Sequence, residues 1–192
     1  MKHLPIGIQN IQEILEGDYV YVDKTGFAQK LIEDKSRKHC FLARPRRFGK
    51  SLFLSTLEEI CKGNRMLFRG CHIGSSDYDW QPYPVLSLNF ATIDNATPAA
   101  FALDLEEVLE AQAALSGVSI GKASYHAKLR RLIMALARQA PVVVLIDEYE
   151  QPIISHLHNL EVAEANRKLL QNLFGVLKNI DKYVRFTFIT GV

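Results

Sequence analysis

Apolar runs that favour strands alternate along this chain with stretches whose apolar residues recur at helical spacing. Four runs predict strands, and they lie at residues 39–43 (HCFLA), 84–90 (PVLSLNF), 141–148 (PVVVLIDE) and 184–192 (VRFTFITGV). The third run has no polar residue from Val142 to Ile146, which is typical of a strand buried on both faces of a parallel sheet.

Helical patterns fill the spaces between these runs. They are predicted at residues 50–62, 97–116, 123–138 and 161–180. Gly63 is expected to follow the end of the first helix, and Thr97 with Pro98 is expected to start the second. Alternating strands and helices predict an α/β fold of three layers, α/β/α, with a mostly parallel sheet.

Composition narrows the class of protein without identifying a function. The chain has 192 residues, of which 48% are hydrophobic and 23% charged, as expected for a globular domain. Its net charge of +2 is too small to argue for nucleic acid. Three cysteines without metal-ligand spacing suggest reduced thiols and a cytoplasmic location. No signal peptide or membrane-spanning run is predicted.

The loop after the first strand, ARPRRFGKS, carries residue types that bind phosphate. A helix start offers unpaired N–H groups and a positive dipole end to an anion. In such loops a glycine lets the backbone approach closely, a lysine reaches the β- and γ-phosphates and a serine hydroxyl ligates Mg²⁺. The residues expected to bind ATP here are Arg44, Pro45, Arg46, Arg47, Phe48, Gly49, Lys50, Ser51 and Leu52, with Ser51 also a magnesium ligand.

This loop departs from the usual G-x-x-x-x-G-K-[ST] pattern. Arg44 stands at the first glycine position, and Pro45 removes one N–H donor. We expect the arginines to compensate in part, because guanidinium groups suit phosphate oxygens. The alternative is that Lys50 is a solvated lysine at a helix start and that the arginines form an ordinary surface patch.

Two adjacent carboxylates end the third strand. In P-loop ATPases an aspartate at this position holds Mg²⁺, and a following glutamate activates the attacking water. We therefore expect Asp147 to be a metal ligand and Glu148 the general base. An ordinary acidic strand end is the alternative, but the pair lies downstream of the phosphate loop in the order that nucleotide binding requires.

The last strand completes the predicted arrangement. In the additional-strand class of P-loop ATPases, one strand lies between the phosphate-loop strand and the Asp-Glu strand and carries a polar sensor. Residues 184–192 are expected to form it, with Thr190 as the sensor, although an ordinary strand-end threonine is the alternative. In that class a later strand pairs with the other side of the phosphate-loop strand, and the sequence up to Val192 does not include it. The strand His39–Ala43 is therefore predicted to be an edge strand here, partly covered by the N-terminal segment and weakly prone to self-association.

Six blocks of sequence resemble the predicted AAA-ATPase-like proteins. They are LPIGIQNIQEI at residues 4–14, YVDKT at 21–25, RPRRFGKS at 44–51, LFRG at 67–70, LIDEY at 145–149 and FITGV at 188–192. The resemblance implies one ATP-binding domain over residues 1–192, with a family N-terminal segment at 1–36 and a P-loop core at 37–192. It also implies the N-terminal portion of a longer protein, since a PD-(D/E)xK nuclease-like domain commonly follows in bacteria.

One departure and several alternatives accompany this resemblance. The family usually continues LIDEY with Asp-Lys-Pro, whereas this chain has Glu150, Gln151 and Pro152. The YVDKT block is expected either to lie near the adenine or to brace the phosphate loop, or else to be a buried tyrosine pair with Asp23 as a cap. The leading function is Mg²⁺-dependent ATP hydrolysis. The alternatives are a nucleotide-binding scaffold with weak turnover, and a nucleic-acid-binding module linked to the nuclease-like domain.

Overall fold

Four parallel strands form the sheet of the computed structural model, which describes residues 2–192. The strands are β1 (His39–Ala43), β2 (Val85–Asn89), β3 (Val142–Asp147) and β4 (Val184–Gly191). Their order across the sheet is β1-β4-β3-β2. The last strand in sequence therefore lies between β1 and β3, as the additional-strand class predicts.

Helices precede and connect these strands. They are α1 (Ile11–Glu16), α2 (Thr25–Glu33), α3 (Lys50–Cys61), α4 (Pro98–Leu115), α5 (Tyr125–Leu136), α6 (Gln151–Ile154) and α7 (Leu160–Asn179). Short 3-10 turns cover Arg65–Phe68, His72–Ser75 and Asp181–Tyr183. Thr97 caps α4 as predicted, because its side chain accepts a hydrogen bond from the Ala100 N–H.

The two faces of the sheet pack against different helices. One face packs against α4, α5 and α7, and the other packs against α1, α2 and α3. Along β3, Val142 and Val144 point into the first layer while Val143 and Leu145 point into the second. Every residue of β3 is buried, as its continuous apolar pattern predicts. The three-layer α/β/α architecture is thereby confirmed.

Strand β1 is an edge strand, as predicted. Its hydrogen-bonded neighbour is β4, and the Phe41 side chain is 54% exposed. Over the part of the chain that the structure describes, the N-terminal segment forms no backbone hydrogen bond with β1. Instead α1 and α2 pack against one face of the sheet together with α3. The expected cover by the N-terminal segment thus lies on the face rather than along the edge.

None of the helices described between residues 2 and 192 combines the length and the apolar character needed to cross a membrane.

Candidate functional site

The loop between β1 and α3 presents free backbone donors. Gly49 precedes α3 with φ 75°, a left-handed conformation that glycine adopts without strain. The first hydrogen bond of the helix runs from the Phe53 N–H to the Gly49 carbonyl. Within residues 2–192, the N–H groups of residues 49–52 have no acceptor. Four unpaired donors at a helix start form a cradle for an anion.

Lys50 is the buried cation of this loop. The residue is 6% exposed, and its ammonium group donates to the Arg44 carbonyl at 2.7 Å and to the Pro45 carbonyl at 3.3 Å. A buried ammonium group needs acceptors, and the loop backbone supplies them. The side chain is therefore held under the loop, which argues against a solvated lysine at a helix start.

A cavity of about 570 Å³ opens above this helix start. Its walls are residues 5–9 of the N-terminal segment, Arg46, Arg47, residues 49–52 and Glu148. Six of the nine residues expected to bind nucleotide thus line one cavity. Arg44, Pro45 and Phe48 do not line it, although the first two hold Lys50 through their carbonyls. The residue types at positions 5–9 did not predict that this segment forms a wall of the cavity. Its only signal in the sequence was the LPIGIQN block of the family resemblance.

Asp147 and Glu148 lie on either side of the end of β3. Asp147 is 7% exposed, and its Oδ1 accepts a hydrogen bond from the Thr190 hydroxyl. Glu148 lines the cavity and adopts a left-handed backbone with φ 49°, a conformation that is strained for a side chain other than glycine. Its N–H donates to the same Thr190 hydroxyl at 3.3 Å. Thr190 therefore fixes both acidic residues, and its sensor role towards a phosphate stays a prediction.

The carboxyl end of β4 joins the phosphate loop to the acidic loop. The Arg44 N–H donates to the Gly191 carbonyl at 3.2 Å, and the Tyr149 N–H donates to the Thr190 carbonyl at 3.2 Å. A side chain at Gly191 would collide with Glu150 and Tyr149, which lie within 3 Å of the position of its Cβ. The two loops are thus positioned relative to one another by two consecutive residues of a buried strand.

Glu150 is a second feature that sequence reasoning missed. It is 8% exposed, and its Oε1 accepts a hydrogen bond from the Val192 N–H at 2.9 Å. Its Oε2 is buried with no partner within residues 2–192. By contrast the side chain of Gln151, the neighbouring residue that also differs from the family pattern, donates only to the nearby Ser155 hydroxyl. Glu150 holds the end of β4 through this hydrogen bond, a role that the residue type alone does not indicate.

The donors suited to a magnesium ion are few and oxygen-based. In the described part of the chain no group of three His, Cys, Asp or Glu side chains clusters as a metal site would. Ser51 lines the cavity above the start of α3, and Asp147 Oδ2 accepts no hydrogen bond from residues 2–192. Mg²⁺ takes one or two protein oxygens and completes its shell with water and phosphates, so this sparse donor set fits it.

The YVDKT block ties α2 to a neighbouring turn. Asp23 Oδ1 accepts from the N–H and hydroxyl of Thr25 at 2.8 and 2.7 Å. Its Oδ2 accepts from the His72 N–H at 2.6 Å, and the Thr25 hydroxyl accepts from the Ile73 N–H at 3.1 Å. Burial alone would raise the pKa of Asp23, but these donors outweigh it and hold that pKa below its ordinary value. The N-cap position of α2 is Lys24 and not Asp23. Asp23 instead forms a clasp, through these hydrogen bonds, between the start of α2 and the turn at His72.

Comparison with known proteins agrees with this geometry. The family model described as Predicted AAA-ATPase matches residues 5–192. A protein of Azotobacter chroococcum mcd 1, described as "Uncharacterized protein in vnfD 5'region", is 44% identical over 199 residues. That alignment spans 100% of this chain and 37% of the length of that relative. With the family pattern covering all but its first four residues, this chain belongs to the Predicted AAA-ATPase family.

Proposed function

We propose that this domain binds ATP with Mg²⁺ and hydrolyses it. The observation that carries the proposal is the shared cavity: residues 49–52, whose four N–H groups are unpaired and which include the cation Lys50, line one space of about 570 Å³ together with Glu148. Backbone donors and a lysine suit phosphate oxygens, while a carboxylate suits a water that must lose a proton.

Each backbone or side-chain group of the site has a distinct role in this proposal. The N–H groups of residues 49–52 and the Lys50 ammonium group bind the β- and γ-phosphates. Ser51 and Asp147 would hold Mg²⁺, which neutralises charge on the phosphate oxygens when bound. Glu148 orients the attacking water and accepts its proton. Thr190 keeps the Asp147 carboxylate in place through its hydroxyl.

Arg46 and Arg47 bear on the nucleic-acid alternative. Both line the phosphate cavity, and neither forms an ion pair within residues 2–192. Arginines that face nucleotide phosphates are not free for a nucleic-acid backbone. A steep fall of DNA affinity with salt concentration would be needed to support that alternative.

The test compares nucleotide binding with turnover. Calorimetry should show ATP binding that strengthens with Mg²⁺, and phosphate release should be measurable in the wild type. Glu148→Gln should retain binding while turnover falls about 100-fold or more, because the general base is lost. The matched control is Glu107→Gln, an exposed residue of α4 outside the cavity, which should leave turnover unchanged.

Two results would change the assignment. Wild-type turnover in Glu148→Gln would show that this carboxylate is structural. ATP binding without turnover in the wild type would favour the nucleotide-binding scaffold.

A further inference from the structure

The acidic loop, which joins β3 to α6, is bonded to the end of β4 along its whole length. The Glu148 N–H donates to the Thr190 hydroxyl at 3.3 Å, and the Tyr149 N–H donates to the Thr190 carbonyl at 3.2 Å. The third bond runs the opposite way, because the Val192 N–H donates to Glu150 Oε1 at 2.9 Å. Each residue of the loop thus has its own hydrogen bond to this end of β4.

Glu150 does not act as a cap for the helix that it precedes. It occupies the N-cap position of α6, yet none of the described N–H groups of that helix donates to its side chain. A carboxylate at a helix start commonly accepts from the N–H groups of its own helix. Here one carboxylate oxygen accepts from Val192 instead, and the other is buried without a partner in residues 2–192. A buried polar atom left unpaired calls for a specific explanation, such as a role beside a catalytic group.

The position of this carboxylate depends on the glycine at residue 191. A Cβ at Gly191 would lie 2.6 Å from Glu150 Oε2 and 2.7 Å from the Tyr149 ring. That ring packs edge-on against Phe41 of β1, with 5.5 Å between ring centroids, and against Phe174 of α7, with 6.3 Å. The second and third residues of the acidic loop are therefore held by the sheet and by α7, and close packing leaves them little room to move.

Glu148 adopts the backbone conformation that this anchoring imposes. Its φ is 49°, and a residue other than glycine keeps a left-handed conformation only where the surrounding structure holds it. The hydrogen bond to Thr190 fixes one side of the residue, and the anchored remainder of the loop fixes the other. If Glu150 were released, Glu148 could relax to an ordinary φ. Its carboxylate would then no longer be held at the cavity that it lines.

We infer that Glu150 is a positioning residue for Glu148, the general base of the proposed hydrolysis. The inference rests on the proposed function and adds to it a residue that is not among the described residues lining the cavity. Its hydrogen bond from the Val192 N–H keeps the loop against β4, and the loop in turn holds the base. Within the described chain, residues 49–52 form no hydrogen bond with Glu150. Loss of this anchor should therefore slow turnover and leave ATP affinity intact.

The test compares Glu150→Gln with Glu150→Met in the 192-residue chain, by phosphate release and by calorimetry with ATP and Mg²⁺. Glutamine keeps an oxygen that can accept the Val192 N–H, so kcat should stay within about twofold of the wild type. Methionine fills a similar volume and its sulfur is only a weak acceptor. In that variant kcat should fall about tenfold, while KM and the Kd for ATP stay within about twofold. Gln151→Ala is the matched control in the same turn, because its side chain donates to Ser155, and it should leave kcat unchanged.

A double variant shows whether Glu150 acts through Glu148. In the Glu148→Gln background the base is already absent, so Glu150→Met should slow the residual turnover by less than about twofold. Urea denaturation verifies that each variant is folded. If the methionine variant does not fold, Glu150→Ala takes its place in both backgrounds.

The outcomes separate this inference from the proposed function. Equal losses of kcat in the glutamine and methionine variants overturn it, because the hydrogen bond would then not be the cause. Wild-type kcat in Glu150→Met, a further tenfold loss in the Glu148→Gln background, or weaker ATP binding with unchanged kcat each overturns it as well. A wild type that binds ATP without turnover, or Glu148→Gln with wild-type turnover, refutes the general base itself without any Glu150 variant, and the positioning role is refuted with it.

Discussion

Replacing Thr190 by valine removes one buried hydroxyl and leaves the shape of the side chain almost unchanged. Thr190 is fully buried, and its hydroxyl donates to Asp147 and accepts from the Glu148 N–H. The variant leaves a nearly buried carboxylate without its donor and an N–H without its acceptor. Losses of this kind cost about 1–3 kcal/mol each, so we expect the free energy of unfolding to fall by about 2–6 kcal/mol.

The assay for this variant is urea denaturation, supported by thermal melting. For a chain of this size, the expected loss lowers the melting temperature by about 4–24 °C. Thr187→Val is the matched control on the same strand, because Thr187 is 1% exposed and its hydroxyl has no partner within residues 2–192. Removing an unpaired hydroxyl should change stability by less than about 0.5 kcal/mol or increase it. Equal losses in the two variants would refute the bonding role assigned to Thr190.

Three further predictions concern the loops and the N-terminal clasp. Lys50→Ala should weaken ATP binding about thirtyfold or more in calorimetry, because a buried charge-assisted contact is lost. The control variant Lys62→Ala, at an exposed position, should bind ATP like the wild type. Unchanged affinity in a folded Lys50 variant would contradict the proposed phosphate site. Asp147→Asn should selectively weaken the Mg²⁺-dependent part of ATP binding, seen by titration with and without Mg²⁺, and an undiminished magnesium effect would remove Asp147 as a ligand. Asp23→Asn should lower stability by about 1 kcal/mol near neutral pH, because the amide nitrogen of asparagine cannot accept the hydrogen bond that Asp23 Oδ2 accepts from the His72 N–H. Since the folded pKa of Asp23 is depressed, this advantage of the wild type should be complete above about pH 5 and disappear as pH falls through that pKa. Denaturation curves at several pH values test the last point, and a pH-independent difference would contradict it.

The strands and long helices could be predicted because each carries a strong local pattern. Burial of β3 followed from an uninterrupted apolar run, and the start of α4 followed from Thr97 and Pro98. The prediction that β4 lies between β1 and β3 had a different basis. No spacing in the sequence indicates this strand order. The prediction came from the resemblance to a class of ATPases, and the observed strand order agrees with it.

The candidate site was only partly predictable, for physical reasons. The residue types in the two motifs were sufficient to predict Lys50, Ser51 and Glu148 as site residues, and all three line the cavity. Residues 5–9 supply a wall through backbone and apolar groups that carry no chemical signature. The hydrogen bond between Thr190 and Asp147 depends on two strands that only the fold brings together. The sequence does not distinguish Glu150 from a surface glutamate, because its burial depends on the fold.

The position of β4 has a consequence for how the chain folds. Strand β1 pairs with β4, so its sheet partner is made only after β2, β3 and helices α3 to α7 have been synthesised. Until then β2 and β3 can pair, whereas Phe41 and Leu42 remain in an apolar segment without a neighbour. Contacts between residues so far apart in sequence slow folding, and an apolar strand that waits for its partner is prone to aggregate. The loop between β1 and α3 is therefore fixed late, when the Arg44 N–H can donate to the newly made Gly191 carbonyl.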